Sequence, residues 1–461
     1  MSERRLSQVA TVVDGKLIGG DVVFAGVSTD TRKLAKGDLF VAISGATYDA
    51  HEFLSAAQQR GAGGALVQRQ VSGCNLPQIV VSDTRRALGV YAKQWRAQFD
   101  IPVIGVTGSS GKTTLKEMLA QIFRNQGTTL ATRGNLNNDI GLPLTLLELD
   151  ASHRAAVIEM GTNHPGEIAY LADITAPSVG VITNAGPAHL EFLGSVEGVA
   201  KEKGALFAAL SSDGVAVINA DDAHAATWQH MSTAGSQRTF GFSERAQFHP
   251  LPGSLQANTE GLWRFQVSSP LGEAPVQLSL PGKHNIVNAL AAIAAATAAG
   301  VELEAATQAL ATVPNTSGRL QMLPGVNGCR LIDDTYNANP SSLAAAVDFA
   351  VSLGAPVWLV LGDMGELGSS AAALHAEAGV QARRAGVVRL LSFGNLSRAA
   401  ADSFGISAEH FADLDALLEC LRHDVPAGTT LLIKGSRSMR MERVVEALRS
   451  QQAVDMAVNG S

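Results

Sequence analysis

A strand, a glycine-rich loop and a helix are predicted in succession from Ile101, and this unit constrains the fold more than any other part of the sequence. The strand is IPVIGVT, and the loop is Gly108, Ser109, Ser110, Gly111, Lys112, Thr113 and Thr114. The helix has one apolar face, formed by Leu115, Met118, Leu119, Ile122 and Phe123. Gly108 and Gly111 permit a tight turn that presents backbone N–H groups at the positive end of the helix dipole. The unit predicts a P-loop domain that binds phosphate where the helix begins.

The side chains of this loop suit a nucleotide with magnesium. Lys112 can lie along the β- and γ-phosphates, and the Thr113 hydroxyl can ligate Mg²⁺. The spacing departs from the common G-x-x-x-x-G-K-[ST] pattern, because Val106 occupies the first glycine position and Gly105 lies one residue too early. The shorter signature T-G-x-x-G-K-T fits instead. A plain Gly/Ser turn with a solvent-facing lysine is the alternative, and the matching strand and helix on either side favour nucleotide binding.

The chain of 461 residues is too long for one hydrophobic core, so we expect three domains, with two as the alternative. We place them at 1–100, 101–314 and 315–461, with the second boundary at the polar segment NTSG. The first should be a small α/β module, with short β-like runs at 21–24, 39–43, 65–67 and 78–81. In the second, AAVIEMG (155–161) and SVGVITNAG (178–186) are hydrophobic strands that end in polar residues, as in a parallel sheet.

The third domain alternates predicted strands and helices. The strands are CRLIDDTY, PVWLVLGDM, VVRLLSFG and TTLLIKGS, and the helices are SLAAAVDFAV, AAALHAEAGVQARRA, LDALLECLR and ERVVEALR. This alternation is typical of a doubly wound, Rossmann-like sheet. No G-x-G-x-x-G follows any of the strands, which disfavours a dinucleotide cofactor.

Composition excludes several classes of protein. An apolar fraction of 46% with 17% charged residues predicts a globular chain, and a formal charge of -7 offers no basic face to nucleic acid. Cys74, Cys329 and Cys420 are few, widely spaced and odd in number, so we expect reduced, structural cysteines. The first residues lack the apolar stretch of a secretory signal, and the longest apolar run, Ala289 to Val301, is too short to cross a bilayer. We expect a cytoplasmic protein that does not insert into membranes.

Two charged residues are candidates for the same site. Glu159 closes an apolar strand, where its carboxylate could hold Mg²⁺ beside Thr113; the alternative is a surface glutamate at a strand end. Lys203 should point inward, because it shares a helical stripe with apolar residues whereas Lys201 falls on the opposite side. A buried ammonium must neutralise, pair with a carboxylate or be chemically converted. Carbamate formation with CO₂ and a structural Lys–Glu pair both remain open.

The chain resembles the bacterial Mur ligases in a long series of ordered segments. These are TGSSGKTT, NLNNDIGLPLTLL, IEMGTNHPGEI, NAGPAHLEFLGS with the helix of Lys203, PGKHNIVNALAA, SGRLQ, IDDTYNANP, LGDMGELG and KGSRSMRME. The resemblance runs from the first module to the final helix. It implies an α/β enzyme of three domains: a UDP-sugar-binding module, a central ATP-binding domain and a C-terminal ligase domain.

The resemblance also implies roles for single residues at the ATP site. The loop from Gly108 to Thr114 would bind the ATP phosphates, and Mg²⁺ would be held by Thr113, Glu159, His189 and carbamylated Lys203. Asn285 and Asn288 would approach the adenine, Arg319 the phosphates, Asp334 the ribose and Tyr336 the base. The catalytic residues would be Lys112, Lys203, His189 and Arg319. Considered without the resemblance, His189 is a loop histidine that makes one backbone hydrogen bond.

For the other substrates, DTYNANP and LGDMGELG are most similar to the family member that joins UDP-N-acetylmuramoyl-tripeptide to D-alanyl-D-alanine in peptidoglycan synthesis. Thr31, Gly45 and His51 would lie near the UDP-sugar. The family usually has Asp-Ser-Arg where this chain has Asp-Thr-Arg at 30–32, which keeps the hydroxyl, and often Asp-Gly-His where this chain has Asp-Ala-His at 49–51. The dipeptide pocket would be approached by Asp333, Asn337 and Asn339. We expect small-molecule partners only, and a monomer.

The implied reaction needs no covalent nucleophile on the protein. A substrate carboxylate would attack the γ-phosphate of ATP, and an amine would then displace phosphate from the acyl phosphate. Two alternatives remain at this stage. One is another member of the superfamily, an earlier Mur enzyme or folylpolyglutamate synthetase. The other is a P-loop ATPase switch without ligation.

Overall fold

The computed structural model describes residues 3–45 and 48–450, which form three successive α/β units. The mixed α/β class predicted from the sequence is confirmed. Residues 1–2, 46–47 and 451–461 lie outside the described residues, and the last of these ranges belongs to the predicted third domain.

The N-terminal unit is a small sheet with helices against it. Its elements are β1 (Arg4–Arg5), α1 (Leu6–Val12), β2 (Lys16–Ile18), β3 (Val23–Phe24), β4 (Val27–Ser28), β5 (Leu39–Val41), a 3₁₀ turn (Ala50–Phe53), α2 (Leu54–Gln59), β6 (Gly64–Val67), β7 (Gln78–Val80) and α3 (Thr84–Arg96). The strand order is β2-β7-β6-β5-β4, with β2 antiparallel and the others parallel. The carboxyl ends of β4 and β5 meet at one edge, so the loops of Thr31 and Gly45 leave the sheet on the same side.

The central unit contains a parallel sheet and many helices. Its elements are β8 (Val103–Thr107), α4 (Lys112–Arg124), β9 (Thr129–Ala131), α5 (Gly141–Leu146), β10 (Ala155–Glu159), α6 (Glu167–Thr175), β11 (Val179–Ile182), α7 (Leu190–Leu193), α8 (Val196–Ala208), β12 (Val215–Asn219), α9 (Ala225–Met231), β13 (Ser236–Phe240), β14 (His249–Pro250), β15 (Gln256–Ala257), β16 (Trp263–Ser269), β17 (Gly272–Gln277), α10 (His284–Ala298) and α11 (Leu303–Ala309).

Six of these strands form the predicted parallel sheet, in the order β13-β12-β11-β8-β10-β9. Helices cover both faces, so β8 and β10 are buried along their whole length and read as continuous apolar runs. All strands run the same way, and their carboxyl ends place the P-loop, Glu159 and the TNAG segment after β11 at one edge.

A second sheet in the central unit was not predicted. β14, β15, β16 and β17 form a four-stranded antiparallel sheet whose inward residues share a core with α10 and α11. The alternation of Phe265 and Val267 with polar neighbours in β16 is a period-two pattern that could have identified it.

The C-terminal unit has a doubly wound sheet, as predicted. Its elements are β18 (Gln321–Pro324), β19 (Arg330–Asp334), α12 (Pro340–Ser352), β20 (Val357–Gly362), α13 (Ala371–Ala385), β21 (Val387–Phe393), α14 (Arg398–Phe404), β22 (Ala408–Phe411), α15 (Leu414–Asp424), β23 (Thr430–Lys434) and α16 (Glu442–Leu448). The order is β18-β19-β23-β20-β21-β22, and only β18 pairs antiparallel. The four predicted strands and four predicted helices are all present; β18, β22 and α14 were missed.

The hydrophobic cores join the first two units and leave the third apart. One cluster runs without a break from Leu6 in α1, through Trp95 in α3, to Trp228 in α9. Arg4 reinforces this junction, because its guanidinium lies 3.7 Å from the Trp95 ring centroid and donates to the Leu147 carbonyl at 2.8 Å. The C-terminal unit has two cores of its own, one on each face of its sheet. The N-terminal and central units therefore form one body.

None of the helices in the described part of the chain is both long enough and apolar enough to span a bilayer.

Candidate active site

A cleft of about 830 Å³ lies between the central and C-terminal units, at the edge where the parallel strands of the central sheet end. It brings together most of the residues that the sequence predicts for the ATP site. The predicted residues that line it are Ser109, Ser110, Gly111, Lys112, Thr113, Thr114, Glu159, His189, Asn285, Asn288, Arg319, Asp334, Tyr336, Asn337 and Asn339. Gly108 and Lys203 are buried and are not among its lining residues, and neither are Thr31, Gly45, His51 and Asp333.

The P-loop is fixed by the segment that follows β11. Ser109 N donates to Asn184 O, and Ser110 N donates to Asn184 Oδ1, both at 3.0 Å. Gly108 has φ +151°, and a Cβ there would collide with Thr183 Oγ1. Gly111, at φ +81°, precedes the first residue of α4. The predicted need for glycine at both positions is confirmed, and the loop residues from Ser109 to Thr114 line the cleft at the N-terminus of α4, where a helix has free N–H groups.

Cationic side chains from two units meet at this loop. Lys112 Nζ donates to Gly108 O at 2.7 Å, and burial lowers the pKa of Lys112, with Arg319 adding to the lowering and Glu159 opposing it. Arg319, from the C-terminal unit, donates to Thr113 Oγ1 at 2.8 Å, and its guanidinium carbon lies 4.3 Å from the Tyr336 ring centroid. The buried Arg319 Nε has no hydrogen-bond partner among the described residues. A phosphate group would satisfy both cations.

Glu159 is held by hydrogen bonds on every side. Its carboxylate is 2% exposed; Oε2 accepts from Thr113 Oγ1 at 2.9 Å and Oε1 accepts from Asn137 Nδ2 at 2.8 Å. Its backbone N–H donates to Thr132 Oγ1 at 2.9 Å. A buried carboxylate beside a hydroxyl is the kind of oxygen donor set that Mg²⁺ accepts, so the residues fit this ion. Among the described residues, no three His, Cys, Asp or Glu side chains cluster as a ready-made metal site.

The inward orientation predicted for Lys203 is confirmed. Lys203 is 1% exposed on α8, and Lys201 is exposed. The alternative of a structural Lys–Glu pair is not what the structure contains, because the neighbouring Glu202 accepts from the backbone N–H groups of Gly166 and Ile168, both at 2.8 Å. No ion pair to Lys203 occurs in the described part of the chain. Burial lowers the pKa of Lys203 well below its ordinary value, and the positive charge of Lys112 lowers it further.

His189 reaches across to the C-terminal unit. It adopts a left-handed backbone conformation with φ 56° just before α7, and its Nδ1 lies 2.6 Å from Glu366 Oε2. His189 is the main reason why the pKa of Glu366 is lowered. The structure thus places His189 at the boundary of the two units rather than in contact with Glu159.

The predicted nucleoside end of the cleft is built from buried polar residues. Asn288 Nδ2 donates to Asn285 Oδ1 at 2.9 Å, and Asn285 Nδ2 donates to Pro281 O at 2.7 Å. Asp334 forms an ion pair with the buried Lys434, whose ammonium also donates to Asn337 O at 3.0 Å. Asn288 and Asp334 both line the cleft.

Two residues predicted for the dipeptide pocket have other contacts. Asp333 is buried away from the cleft, where its carboxylate accepts from Thr335 Oγ1 at 2.6 Å and from Gly318 N at 3.2 Å. Successive side chains of a strand point to opposite faces, so β19 directs Asp334 to the cleft and Asp333 away from it. Asn339 caps α12 and donates to Ser110 Oγ at 3.2 Å, which makes it a contact of the P-loop. These contacts occupy both side chains in this arrangement, and the place of Asp333 and Asn339 near the dipeptide stays a prediction.

In the N-terminal unit, His51 has no free ring nitrogen. Its Nε2 accepts from Gln68 N at 2.8 Å, and its Nδ1 lies 2.6 Å from Asp49 Oδ1. The other oxygen of the same carboxylate, Asp49 Oδ2, forms an ion pair with Arg69. The ring therefore fixes the loop that follows β5 and cannot donate to a ligand in this arrangement. A role of Thr31, Gly45 and His51 near a UDP-sugar stays a prediction.

Known proteins match this chain over nearly its whole length. Residues 106–296 match the family described as Mur ligase middle domain, and residues 318–437 match Mur ligase, glutamate ligase domain. UDP-N-acetylmuramoyl-tripeptide–D-alanyl-D-alanine ligase of Escherichia coli is 43% identical over 96% of this chain and 98% of its own length. The protein of the same name from Bacillus subtilis is 34% identical, over 97% of this chain and 99% of its own length.

The chain belongs to the Mur ligase family.

Solved structures of Mur ligases show the same fold. MurF from Acinetobacter baumannii superposes with a TM-score of 0.89 at 33% identity, covering 97% of this chain and 99% of that one. MurF from Thermotoga maritima, solved in complex with ADP, has a TM-score of 0.80 at 25% identity, covering 92% and 96%. The family resemblance inferred from the sequence motifs is confirmed, and this Mur ligase is an enzyme of the ligase class.

Several residues that build the site of this Mur ligase were not singled out from the sequence. They are Thr132, Asn137, Thr183, Asn184, Glu366 and Lys434. Asn184 lies in TNAG and Glu366 in LGDMGELG, where polar residues end a predicted strand, whereas Asn137 lies in NLNND after β9, a strand that the sequence did not predict. That position at the carboxyl edge of a parallel sheet is the signal that could have found Asn184 and Glu366.

Proposed function

We propose that this Mur ligase uses ATP to join the terminal carboxylate of UDP-N-acetylmuramoyl-tripeptide to the amine of D-alanyl-D-alanine, with release of ADP and phosphate. The product would be the pentapeptide precursor of peptidoglycan. The observation that carries the proposal is the contact of Arg319, from the C-terminal unit, with Thr113 of the P-loop, whose hydroxyl also binds Glu159. Relatives named for this reaction align with nearly the whole chain, which supports the choice of substrates.

The chemistry explains why two units must meet at one cleft. A carboxylate is a poor electrophile and hydroxide a poor leaving group, so the acid is first phosphorylated by ATP. The amine then attacks the acyl phosphate, and phosphate leaves from the tetrahedral intermediate. The protein has to hold two anions in line and offset their repulsion, and the closed cleft keeps water from the acyl phosphate.

The charged groups of the cleft suit this task. Lys112 and Arg319 would neutralise the phosphates, and loss of one such group typically costs about 10² to 10³ in rate. Mg²⁺, held by Thr113 and Glu159, would supply further neutralisation of the phosphate charge. We propose that Asn285 and Asn288 approach the adenine, Asp334 the ribose and Tyr336 the base, since all four residues line the cleft.

Lys203 is proposed to act as a carbamate. Burial lowers the pKa of Lys203 well below its ordinary value and so favours the free amine, which can add to CO₂ with loss of a proton. The resulting anion would exchange an unfavourable cation near Lys112 for a favourable negative charge. A Lys203→Ala variant should lose ligation, and short added carboxylates should partly restore it by occupying the vacated space.

The other substrates are assigned to the remaining surfaces. We propose that the UDP-sugar binds at the edge of the N-terminal sheet where the loops of Thr31 and Gly45 emerge, with His51 fixing the loop. The dipeptide would bind near Asn337, which lines the cleft on the C-terminal side. We expect the protein to act as a monomer in the cytoplasm, which sedimentation and cell fractionation would test.

One assay separates this proposal from its alternatives. ADP release is measured with UDP-N-acetylmuramoyl-tripeptide and D-alanyl-D-alanine together, and with each left out. We expect turnover only when both are present, and a product whose mass equals the two substrates joined with loss of water. Equal ADP release without them would identify a non-ligating ATPase, and turnover with single amino acids or a shorter UDP-peptide would identify an earlier Mur activity.

A further inference from the structure

The conformation of Glu159 depends on a residue from a different loop. Asn137 lies between β9 and α5, and its Nδ2 donates to Glu159 Oε1 at 2.8 Å while Thr113 donates to Oε2. A carboxylate can only accept hydrogen bonds, so the amide nitrogen of Asn137 must face it. With one donor on each oxygen, the carboxylate cannot rotate without losing a bond. Each oxygen keeps a lone pair for another partner.

Asn137 is itself held in place by backbone contacts. Its N–H donates to Asn135 O at 2.8 Å, and its carbonyl accepts from Gly161 N at 2.9 Å, just after β10 ends. Its side chain lies against the bare Cα of Gly161, where a Cβ would come within 2.8 Å of Asn137 Oδ1 and 2.9 Å of Cγ. The absence of a side chain at Gly161 therefore makes room for the amide.

We propose that Asn137 is a positioning residue for metal binding, which aims the Glu159 carboxylate at Mg²⁺, and that Gly161 is required because it admits the Asn137 amide. This inference rests on the proposed function, in which Glu159 is a metal ligand. Groups that orient a ligand from behind typically change metal affinity by about 10- to 100-fold when they are removed. Asn137 also lines the cleft.

Two variants test the idea by different means. Asn137→Ala removes the donor, and Gly161→Ala leaves the donor in the chain but pushes it from its position. Asn135→Ala is the matched control, because Asn135 lies on the same loop with an exposed side chain. Binding of Mn²⁺ to each purified protein in the presence of ADP is measured by electron paramagnetic resonance, so that no turnover is involved. Thermal unfolding is recorded on the same samples.

We expect Asn137→Ala and Gly161→Ala to weaken Mn²⁺ binding by about 10-fold or more, while Asn135→Ala matches the parent. ADP binding without metal should be the same in all four proteins. The inference is overturned if the two variants bind Mn²⁺ as tightly as the parent, or if Asn135→Ala weakens binding equally. If thermal unfolding shows that one of the two variants is not folded, the Mn²⁺ affinity of the other variant decides the test. Failure of the parent itself to bind Mn²⁺ with ADP would instead reject the proposed function.

Discussion

Replacing Lys203 with methionine should make the protein more stable and inactive. Methionine keeps an unbranched stem of similar length, so the packing around α8 is largely preserved. The substitution removes an amine that is 1% exposed and forms no ion pair among the described residues. A buried polar group without a partner costs about 1 to 3 kcal/mol, and we expect a gain of that order in the free energy of unfolding at pH 7.

The pH dependence gives this prediction a second readout. In the unfolded chain a lysine keeps its proton up to about pH 10.5, whereas burial lowers the pKa of Lys203 in the folded protein. Between these two pKa values the unfolded state binds more protons, so the stability of the parent rises with pH by up to about 1.4 kcal/mol per unit. The methionine variant lacks this slope. Its advantage over the parent should therefore shrink as the pH rises toward 10.5.

Urea denaturation at pH 7 and pH 9, in CO₂-free buffer without magnesium, measures the free energy of unfolding and its change with pH. ADP release measures activity. Lys201→Met is the control, because Lys201 lies on the same helix with an exposed side chain. It should leave the stability, the pH slope and the turnover as in the parent. If Lys203→Met gains no stability and keeps the slope of the parent, the reasoning from a buried, unpaired amine is refuted.

Three further predictions concern the cleft. Arg319→Lys should lower kcat by about 10² to 10³, because lysine cannot both contact Thr113 and stack on Tyr336; ADP release in single turnover checks this, and parent-like rates contradict it. Asn339→Asp should keep the α12 cap, and hence the melting temperature, but raise the KM for ATP, since a carboxylate cannot donate to Ser109 O as the amide does and adds a negative charge beside the P-loop; an unchanged KM would reject the contact. Asp333→Ala should lower the free energy of unfolding in urea by about 1 to 3 kcal/mol without raising the KM for D-alanyl-D-alanine. A higher KM with unchanged stability would instead place Asp333 at the dipeptide pocket.

Local patterns predicted much of the fold because they reflect forces that act within one element. The 3.6-residue period separated Lys203 from Lys201 on α8, and the apolar run that ends at Glu159 located both β10 and the carboxylate after it. The P-loop could be predicted from its glycines, because Gly108 and Gly111 both have positive φ and a Cβ at Gly108 would collide with Thr183 Oγ1. The second sheet was missed although its alternation was present, because β14 and β15 are only two residues long each.

The contacts across units could not be predicted in the same way. Asn339 is 229 residues from Ser110, and nothing near either residue in the sequence indicates that they meet. The same holds for His189 and Glu366, whose contact depends on how the C-terminal unit docks. Asp333 is different, because the two-residue period of β19 already separates it from Asp334, and that argument could have been made from the sequence.

The shared core of the first two units determines where this enzyme can be cut into fragments without exposing apolar residues. A cut near residue 100 would separate α3, with its tryptophan, from the central-unit residues of the same core and would expose apolar surface on both fragments. A cut in the exposed stretch after Val313 separates parts that each keep an interior of their own. Recombination of modules among relatives should therefore have been far easier at the second junction than at the first.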